Sequence, residues 1–307
     1  MKAVYIERFG GPEVLAYGDV PDPVPGDDEV LIEVAAASVN AADWKQRLGS
    51  YADLALPHIL GRDVSGTVAS VGRAVTAFRP GDEVFAVAMQ GQEGGYAERI
   101  ALGESIVGRK PAGVSHVEAA ALALTGLTAV SAIEETLQLR PGETVLVQGG
   151  AGGVAGVAIQ LAKHLGARVI STASAANHAY VRSLGADEVI DYNEVDFTRA
   201  VGDCDAALDT VGGDVAERTL LILRPGGRAA FIGGPAPTPD RLDIQALKPP
   251  VRRSTERMNR VADLIEAGTI RPPEVRLFSL AQAAEAHRVS EGRHFRGKLV
   301  FDVRSGR

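Results

Sequence analysis

The stretch Val147-Gln-Gly-Gly-Ala-Gly-Gly-Val-Ala-Gly156 constrains this chain more than any other. The run Thr144–Gln148 leads into it and reads as a continuous apolar strand. Val154–Leu165 leaves it with apolar residues at helical spacing, and Gly166 ends that pattern as a C-cap would. Between them Gly149, Gly152 and Ala155 stand at G-x-x-G-x-x-A spacing. Small residues let a backbone approach a pyrophosphate, and a helix N-terminus offers free N–H groups and the positive end of its dipole. The third position need only be small enough for the helix to pack on the strand, so Ala serves. Glycine spacing alone says little, but a preceding strand and a following helix supply the context it needs. The candidate dinucleotide-binding residues in this turn are Gly149, Gly150, Gly152, Gly153 and Val154.

The same alternation continues downstream. Arg168–Ser171, Glu188–Ile190, Ala206–Leu208 and Ala229–Ile232 read as further strands separated by helical segments. Repeated βα units with fully apolar strands imply a doubly wound parallel sheet, buried on both faces. Upstream the pattern differs. Short β-type runs at Ala3–Ile6, Glu29–Ala35, Val64–Val71 and Glu83–Val87 are punctuated by Pro25-Gly26, Pro57 and Pro80-Gly81-Asp82. Ser115-His-Val-Glu118 then fits a capping box before an apolar helix. The expected fold class is α/β in two domains. A mostly β domain spans 1–120 and is rejoined by 271–307, and a Rossmann domain spans 121–270.

The second Rossmann strand ends Ile170-Ser-Thr-Ala-Ser-Ala-Ala-Asn177. A site selective for NAD usually places Asp or Glu here to hold the ribose 2′-OH. This segment has neither, so nothing in it repels a 2′-phosphate, and Ser174 and Asn177 can donate to one. NADP is favoured, although no Lys or Arg stands at the turn.

Composition excludes several classes. A net charge of −7 with no basic block is a poor match for nucleic acid or anionic membranes. No apolar run approaches the roughly 18 residues that span a bilayer. Only Ala3–Ile6 separates Met1-Lys2 from Glu7, too short for a signal-peptide core, so a cytoplasmic protein is expected. The single cysteine, Cys204, can supply neither an intrachain disulfide nor a Cys-rich zinc site.

Further segments carry a resemblance over essentially the full chain. They are Met1-Lys-Ala-Val, Gly11-Pro-Glu-Val-Leu15, Ser38-Val-Asn-Ala-Ala-Asp43, Gly61-Arg-Asp-Val-Ser-Gly-Thr67, Arg79-Pro-Gly-Asp-Glu-Val84, Gly94-Gly-Tyr-Ala-Glu98, Gly126-Leu-Thr-Ala129 and Gly297-Lys-Leu-Val300. In this order and spacing the chain resembles the zinc-independent quinone oxidoreductases of the medium-chain dehydrogenase/reductase superfamily. That resemblance implies a GroES-like β domain joined to a Rossmann domain, with the cofactor in the cleft between them. The zinc-dependent branch carries a metal-binding Cys where this chain has Asn40, and Gly-His-Glu where it has Gly61-Arg62-Asp63. Its four-Cys lobe is missing here, and His58, His116, His164, His178, His287 and His294 show no tetrahedral ligand spacing. No metal is expected.

Residue by residue, the resemblance makes Asn40, Tyr51 and Thr128 the candidate catalytic residues, with Asp43 following Asn40 on a short helix. It makes Ser174 and Tyr192 candidate contacts of the 2′-phosphate. Asn177 falls where relatives often have Lys. Gly233 and Gly234 are expected beside the nicotinamide ribose. Relatives often pair a sheet edge across a dimer in the region after Gly234. Here that region, Pro235–Thr255, holds Pro249-Pro250 and has Val251 as its only clear strand former, so either the edge is short or a homodimer forms differently. The implied reaction is hydride transfer from NADPH to a small quinone or activated enone, the proton coming from water or Tyr51. Its alternatives are an enoyl or 2-alkenal reductase of a biosynthetic pathway and a noncatalytic NADPH-binding protein.

Overall fold

The computed structural model describes residues 1–50 and 54–306. In chain order the strands and helices begin with β1 (Lys2–Ile6), β2 (Ala16–Asp19), β3 (Glu29–Val39), α1 (Ala41–Arg47), β4 (His58–Ile59), β5 (Asp63–Val71), β6 (Glu83–Val87), β7 (Arg99–Gly103), β8 (Val107–Arg109) and α2 (His116–Val130). They continue with β9 (Thr144–Val147), α3 (Gly153–His164), β10 (Arg168–Ala173), α4 (His178–Ser183), β11 (Glu188–Asp191), α5 (Phe197–Ala200), β12 (Cys204–Asp209), α6 (Asp214–Thr219), β13 (Leu223–Phe231) and β14 (Gln245–Leu247). The chain closes with α7 (Thr255–Glu266), β15 (Val275–Phe278), α8 (Ala283–Gly292) and β16 (Lys298–Asp302). It divides into two units, one of residues 1–124, 253–267 and 272–307, the other of residues 125–252 and 268–271.

The first unit is the mostly β domain. Its larger sheet runs β15-β16-β3-β5-β6-β8, with β7 also on β3, and a three-stranded sheet runs β2-β1-β4. The long strand β3 organises it. Val30, Ile32, Val34, Ala37 and Val39 enter one core with Val64, Val84, Leu102, Leu299 and Phe301. Each Val, Leu, Ile or Phe side chain so buried contributes about 1.5–3 kcal/mol, and the Ala37 methyl less. The last strand, β16, pairs antiparallel with β3 and brings the C-terminal segment back, Leu299 opposite Val39.

The second unit is a six-stranded parallel sheet in the order β11-β10-β9-β12-β13-β14. Its helices α3, α4 and α6 each pack on two neighbouring strands. The chain runs outward from β9 to β11, then returns to lay β12 against β9. The carboxyl ends of β9 and β12 therefore form the point where strand order reverses, and open α/β sheets bind ligands there.

Three features depart from the sequence reading. Helix α7, expected in the Rossmann domain, belongs to the first unit. Met258 packs so closely on Gly108 that a Cβ there would lie 2.6 Å from the Met258 Cβ. Thr255 Oγ1 donates to Glu104 O at 2.9 Å, and Glu266 Oε1 accepts from Ala112 N at 2.8 Å. The sixth strand forms at Gln245–Leu247, upstream of Pro249-Pro250, rather than at Val251. Finally, α2 and the π-helical turn Ser131–Thr136 make one 21-residue helix with an 18-residue stretch of mean hydropathy 1.4, long and apolar enough by those measures to cross a membrane, yet 78% of that stretch is buried within the protein. The sequence reading missed its length because Glu118, Thr125, Gly126, Thr128 and Ser131 interrupt the apolar run. Its N-terminus has the expected cap, with Glu118 Oε2 accepting from Ser115 N at 2.7 Å.

Candidate functional site

Within the second unit the glycine turn is held by its own backbone and by Thr172 of the neighbouring strand. Gly149 N donates to Thr172 Oγ1 at 3.1 Å, Gly150 N to Thr172 O at 2.9 Å and Gly152 N to Gly149 O at 2.9 Å. Gly149 has a φ of +71°, which side-chain-bearing residues rarely adopt. A Cβ on Gly150 would lie 2.2 Å from Ser171 Oγ. These two glycines are demanded by the turn itself. Gly152 is the N-cap of α3 and has no side chain to offer its first turn. The N–H groups of Gly153, Val154 and Ala155 therefore open the helix without a side-chain acceptor, which is the arrangement an anion completes. Lys163 and His164 lie in the last turn, where positive charge suits the dipole.

The ends of β12 and β13 flank this turn. Thr210 Oγ1 donates to Gln148 O at 2.8 Å. A Cβ on Gly233 would meet the Gly212 nitrogen at 2.6 Å, so internal packing already requires that glycine. Gly234 differs: a Cβ there would meet nothing within 4 Å, and its φ is not positive. Neither packing nor backbone strain accounts for it, so its open face is free for a ligand. Thr128 sits on α2 and is buried.

At the far end of the sheet, Ser174, Asn177 and Tyr192 gather at the ends of β10 and β11. Asn177 Nδ2 donates to Ser174 Oγ at 3.0 Å. Tyr192 is 52% exposed, its ring free of the core. The structure also brings a carboxylate that the sequence reading left out. Asp191 Oδ2 accepts from Ala175 N at 3.1 Å, inside the turn thought to carry no acid. It arrives from the next strand, where Asp191 pairs in register with Ala173.

The first unit gathers a second cluster around Asn40. Asn40 and Asp43 form a capping box on α1, with Asn40 N donating to Asp43 Oδ2 at 2.8 Å. Tyr96 Oη donates to the same carboxylate oxygen at 2.8 Å. Burial pushes the Asp43 carboxyl up to about 6, against the Arg62 guanidinium that favours its charged form. The Asn40 amide is engaged at both ends. Its Oδ1 accepts from Lys298 Nζ at 2.7 Å, and its Nδ2 donates to Asp63 Oδ2 at 2.9 Å. Lys298 Nζ donates also to Val39 O at 2.9 Å and stands 3.8 Å from Asp63 Oδ2. Ser38 Oγ donates to that oxygen as well. Burial pulls Lys298 below the ordinary lysine value and raises Asp63, while the attraction between them works the other way in both. Asp63 and Lys298 were not singled out as site residues from the sequence, because the two lie far apart in the chain. The third catalytic candidate, Tyr51, lies outside the described residues.

Two other readings of the first unit fail on geometry. The positions that hold zinc in the metal-dependent branch do not fit a metal, because the Asn40 oxygen already faces an ammonium and Arg62 adds a second cation. Among the described residues no group of three His, Cys, Asp or Glu side chains forms a metal-binding set. Ser65, His116 and Glu83 have the order of a hydrolase triad, with Ser65 Oγ 2.8 Å from His116 Nδ1 and His116 Nε2 3.1 Å from Glu83 Oε1. Ser65 is fully buried and its hydroxyl also reaches Val84 O at 2.9 Å, so it ties α2 to the sheet rather than attacking a substrate.

Comparison with known proteins agrees with this layout. Residues 26–112 match a family model described as alcohol dehydrogenase GroES-like domain, and residues 184–301 match one described as zinc-binding dehydrogenase. The chain is 36% identical over 324 residues to a quinone oxidoreductase of Pseudomonas aeruginosa, covering 98% of this chain and 99% of the relative. It is 33% identical over 313 residues to a chloroplastic NADPH-dependent alkenal/one oxidoreductase of Arabidopsis thaliana, covering 98% of this chain and 79% of the relative. Among solved structures it is similar to the Escherichia coli quinone oxidoreductase complexed with NADPH, with a TM-score of 0.90, 28% identity, and 98% and 99% of the two chains covered.

Proposed function

The chain belongs to the zinc-independent quinone oxidoreductase family of the medium-chain dehydrogenase/reductase superfamily, and from that membership we propose that it is an NADPH-dependent reductase of quinones and activated enones. The observation that carries this reading is the glycine turn at the strand-order switch, which opens α3 with no side-chain cap. When bound, the nicotinamide supplies a hydride and its electron pair. The chain's own residues hold and orient. Gly153, Val154 and Ala155 would offer their N–H groups to the pyrophosphate, Gly234 would leave room beside the ribose, and Ser174 and Asn177 would donate to the 2′-phosphate.

The acceptor class follows from the donor set around Asn40. A simple carbonyl needs strong polarisation before it accepts a hydride, usually from a Lewis acid. The Asn40 oxygen is committed to the Lys298 ammonium, and its amide hydrogens are weak acids. A quinone or enone is already electrophilic and needs only to be positioned. The similarity to an alkenal/one oxidoreductase favours enones as a second acceptor class within the same reading.

NADPH consumption, followed by absorbance with benzoquinone and a simple enone in the presence and absence of EDTA, tests this proposal. Turnover unaffected by the chelator is expected, with kcat/KM ranking the two acceptors. Tight NADPH binding with no turnover of any acceptor would replace it with a noncatalytic binding role, and loss of activity on chelation would refute the metal-free chemistry.

A further inference from the structure

We infer that Asp191 limits this chain's preference for a 2′-phosphorylated cofactor, so that NADH is accepted alongside NADPH until that carboxylate is neutralised. The inference rests on the nicotinamide-dependent reading above and assigns the residue that sets its cofactor selectivity.

The turn after β10 offers only neutral donors to a ribose 2′ substituent. Ser174 Oγ has its own proton, and Asn177 Nδ2 already spends one of its hydrogens on Ser174 at 3.0 Å. A 2′-phosphate carries nearly two negative charges and is normally met by a guanidinium or an ammonium. Ser174–Asn177 contains neither. The formal charge anchored to this turn is negative. Asp191 Oδ2 accepts from Ala175 N at 3.1 Å, and its other oxygen accepts from Asn193 N at 3.0 Å and Asn193 Nδ2 at 3.1 Å. Three N–H donors fix the carboxylate in place. The Asn193 backbone, followed by Ala175 and the Asn193 side chain, holds it below the usual carboxylate range, so it is ionised at neutral pH.

The cationic groups facing it are few. His178, on α4, has its ring 3.2 Å from Ala173 O and contributes charge only when protonated. Arg182 lies one turn further along α4 and is exposed. A fixed carboxylate beside neutral donors suits a ribose diol, whose hydroxyl can donate to it, and opposes a phosphate at the same place. Dinucleotide sites selective for NAD draw the same distinction with an acidic residue at the end of the second strand. In this chain the acid comes instead from the end of the third strand, through the pairing of Ala173 with Asp191.

The experiment measures dissociation constants of the full chain for NADPH and NADH by reduced-nicotinamide fluorescence, and for 2′-AMP and 5′-AMP by calorimetry, in wild type, Asp191→Asn and Asn177→Lys. Asp191→Asn removes the charge and keeps one oxygen acceptor, at the loss of the hydrogen bond made by the other oxygen. For wild type, NADPH and NADH should bind within about tenfold of each other, and Asp191→Asn should tighten NADPH and 2′-AMP about tenfold at low salt while leaving NADH and 5′-AMP nearly unchanged. The gain should shrink as ionic strength rises, because exposed charges are screened. Asn177→Lys should tighten NADPH by the opposite route, adding a cation. Equal shifts for both cofactors in Asp191→Asn would mean that Asp191 merely shapes the loop and would overturn the inference, as would no shift at all. Binding of neither NADPH nor NADH by the wild type would overturn the nicotinamide-dependent reading itself.

Discussion

Replacing Lys298 by Met tests the cluster around Asn40 most directly. Methionine nearly matches the lysine stem in volume but removes the ammonium, so packing changes little and electrostatics change greatly. Lys298 is only 5% exposed and Asp63 is fully buried. The Asp63 Oδ1 atom has no hydrogen-bond partner among the described residues, so without Lys298 its charge rests on the hydrogen bonds from Ser38 and Asn40 and on the charge of Arg253. Breaking a buried ion pair at one side typically costs about 3–5 kcal/mol, because the remaining charge is left uncompensated. Part of that loss is the hydrogen bond from Lys298 to the Asn40 oxygen, of the charge-assisted kind that contributes about 1.5–3 kcal/mol. The partner substitution supplies the control. Asp63→Asn in the Lys298→Met background removes the stranded charge and leaves a neutral amide beside Ser38 and Asn40. The double variant should therefore recover about 2 kcal/mol or more relative to the sum of the single losses. Guanidinium unfolding monitored at Trp44, which lies on α1 beside this cluster, gives the midpoints for the four proteins. A Lys298→Met cost below about 1 kcal/mol, or strictly additive single losses, would show that the pair is neutral or solvated and would refute the reasoning.

Asp43 gives a pH signature. Its carboxyl is raised from 3.8 to about 6 by burial, so the folded state holds its proton more tightly than the unfolded state does. Its contribution is fully present below the unfolded value and is lost as pH rises through the folded one, a span of about 3 kcal/mol. Stability curves of Asp43→Asn and wild type should therefore diverge between pH 3.8 and about 6, with the variant gaining relative to wild type as pH rises, and run parallel above; parallel curves across the window would reject the shift. Gly234→Ala should leave the unfolding midpoint nearly unchanged, since its Cβ meets nothing within 4 Å, yet weaken NADPH binding several-fold. Unaltered NADPH affinity would remove Gly234 from the cofactor site.

What the sequence revealed and what it hid divide along one physical line. The glycine turn was legible because everything it needs is local. Gly149 supplies the positive φ, Gly150 clears Ser171, and the apolar strand and helix on either side declare the unit. The cap at Ser115 was legible for the same reason. Asp191 was not, although the strand ending at it was recognised. It reaches Ala175 only through parallel pairing of β10 with β11, and one residue of register decides whether it faces the turn. Lys298 was further out of reach, 258 residues from Asn40, and delivered by an antiparallel pairing between the first domain and the end of the chain. Helix α7 carried a clear helical pattern, but its periodicity says which face is apolar, not which sheet will cover it. Gly108, small enough to admit Met258, settled that.

The cluster around Asn40 shows how charges distant in sequence can fix the conformation of a neutral side chain. An amide rotated by half a turn has nearly the same shape, so packing alone scarcely chooses between its two orientations. Here the choice is electrostatic. Rotation would turn Asn40 Oδ1 toward the Asp63 carboxylate and Nδ2 toward the Lys298 ammonium, exchanging two charge-assisted hydrogen bonds for two repulsive contacts. Losing both bonds costs about 3–6 kcal/mol before repulsion is counted, which holds the rotated form below about 1%. The Lys298 ammonium donates to Val39 O and Asn40 Oδ1 and stands 3.8 Å from the Asp63 carboxylate, so its charge is already engaged within the protein. Its role is therefore to position Asn40 rather than to act as an acid. The Asn40 Nδ2 group donates to Asp63 Oδ2 at 2.9 Å and points its second hydrogen toward Ser38 O, 3.5 Å away, a contact long enough for a better acceptor to displace. A single oriented N–H is enough to align a quinone or enone oxygen and too weak to activate an unconjugated carbonyl, which is the acceptor range proposed for this chain.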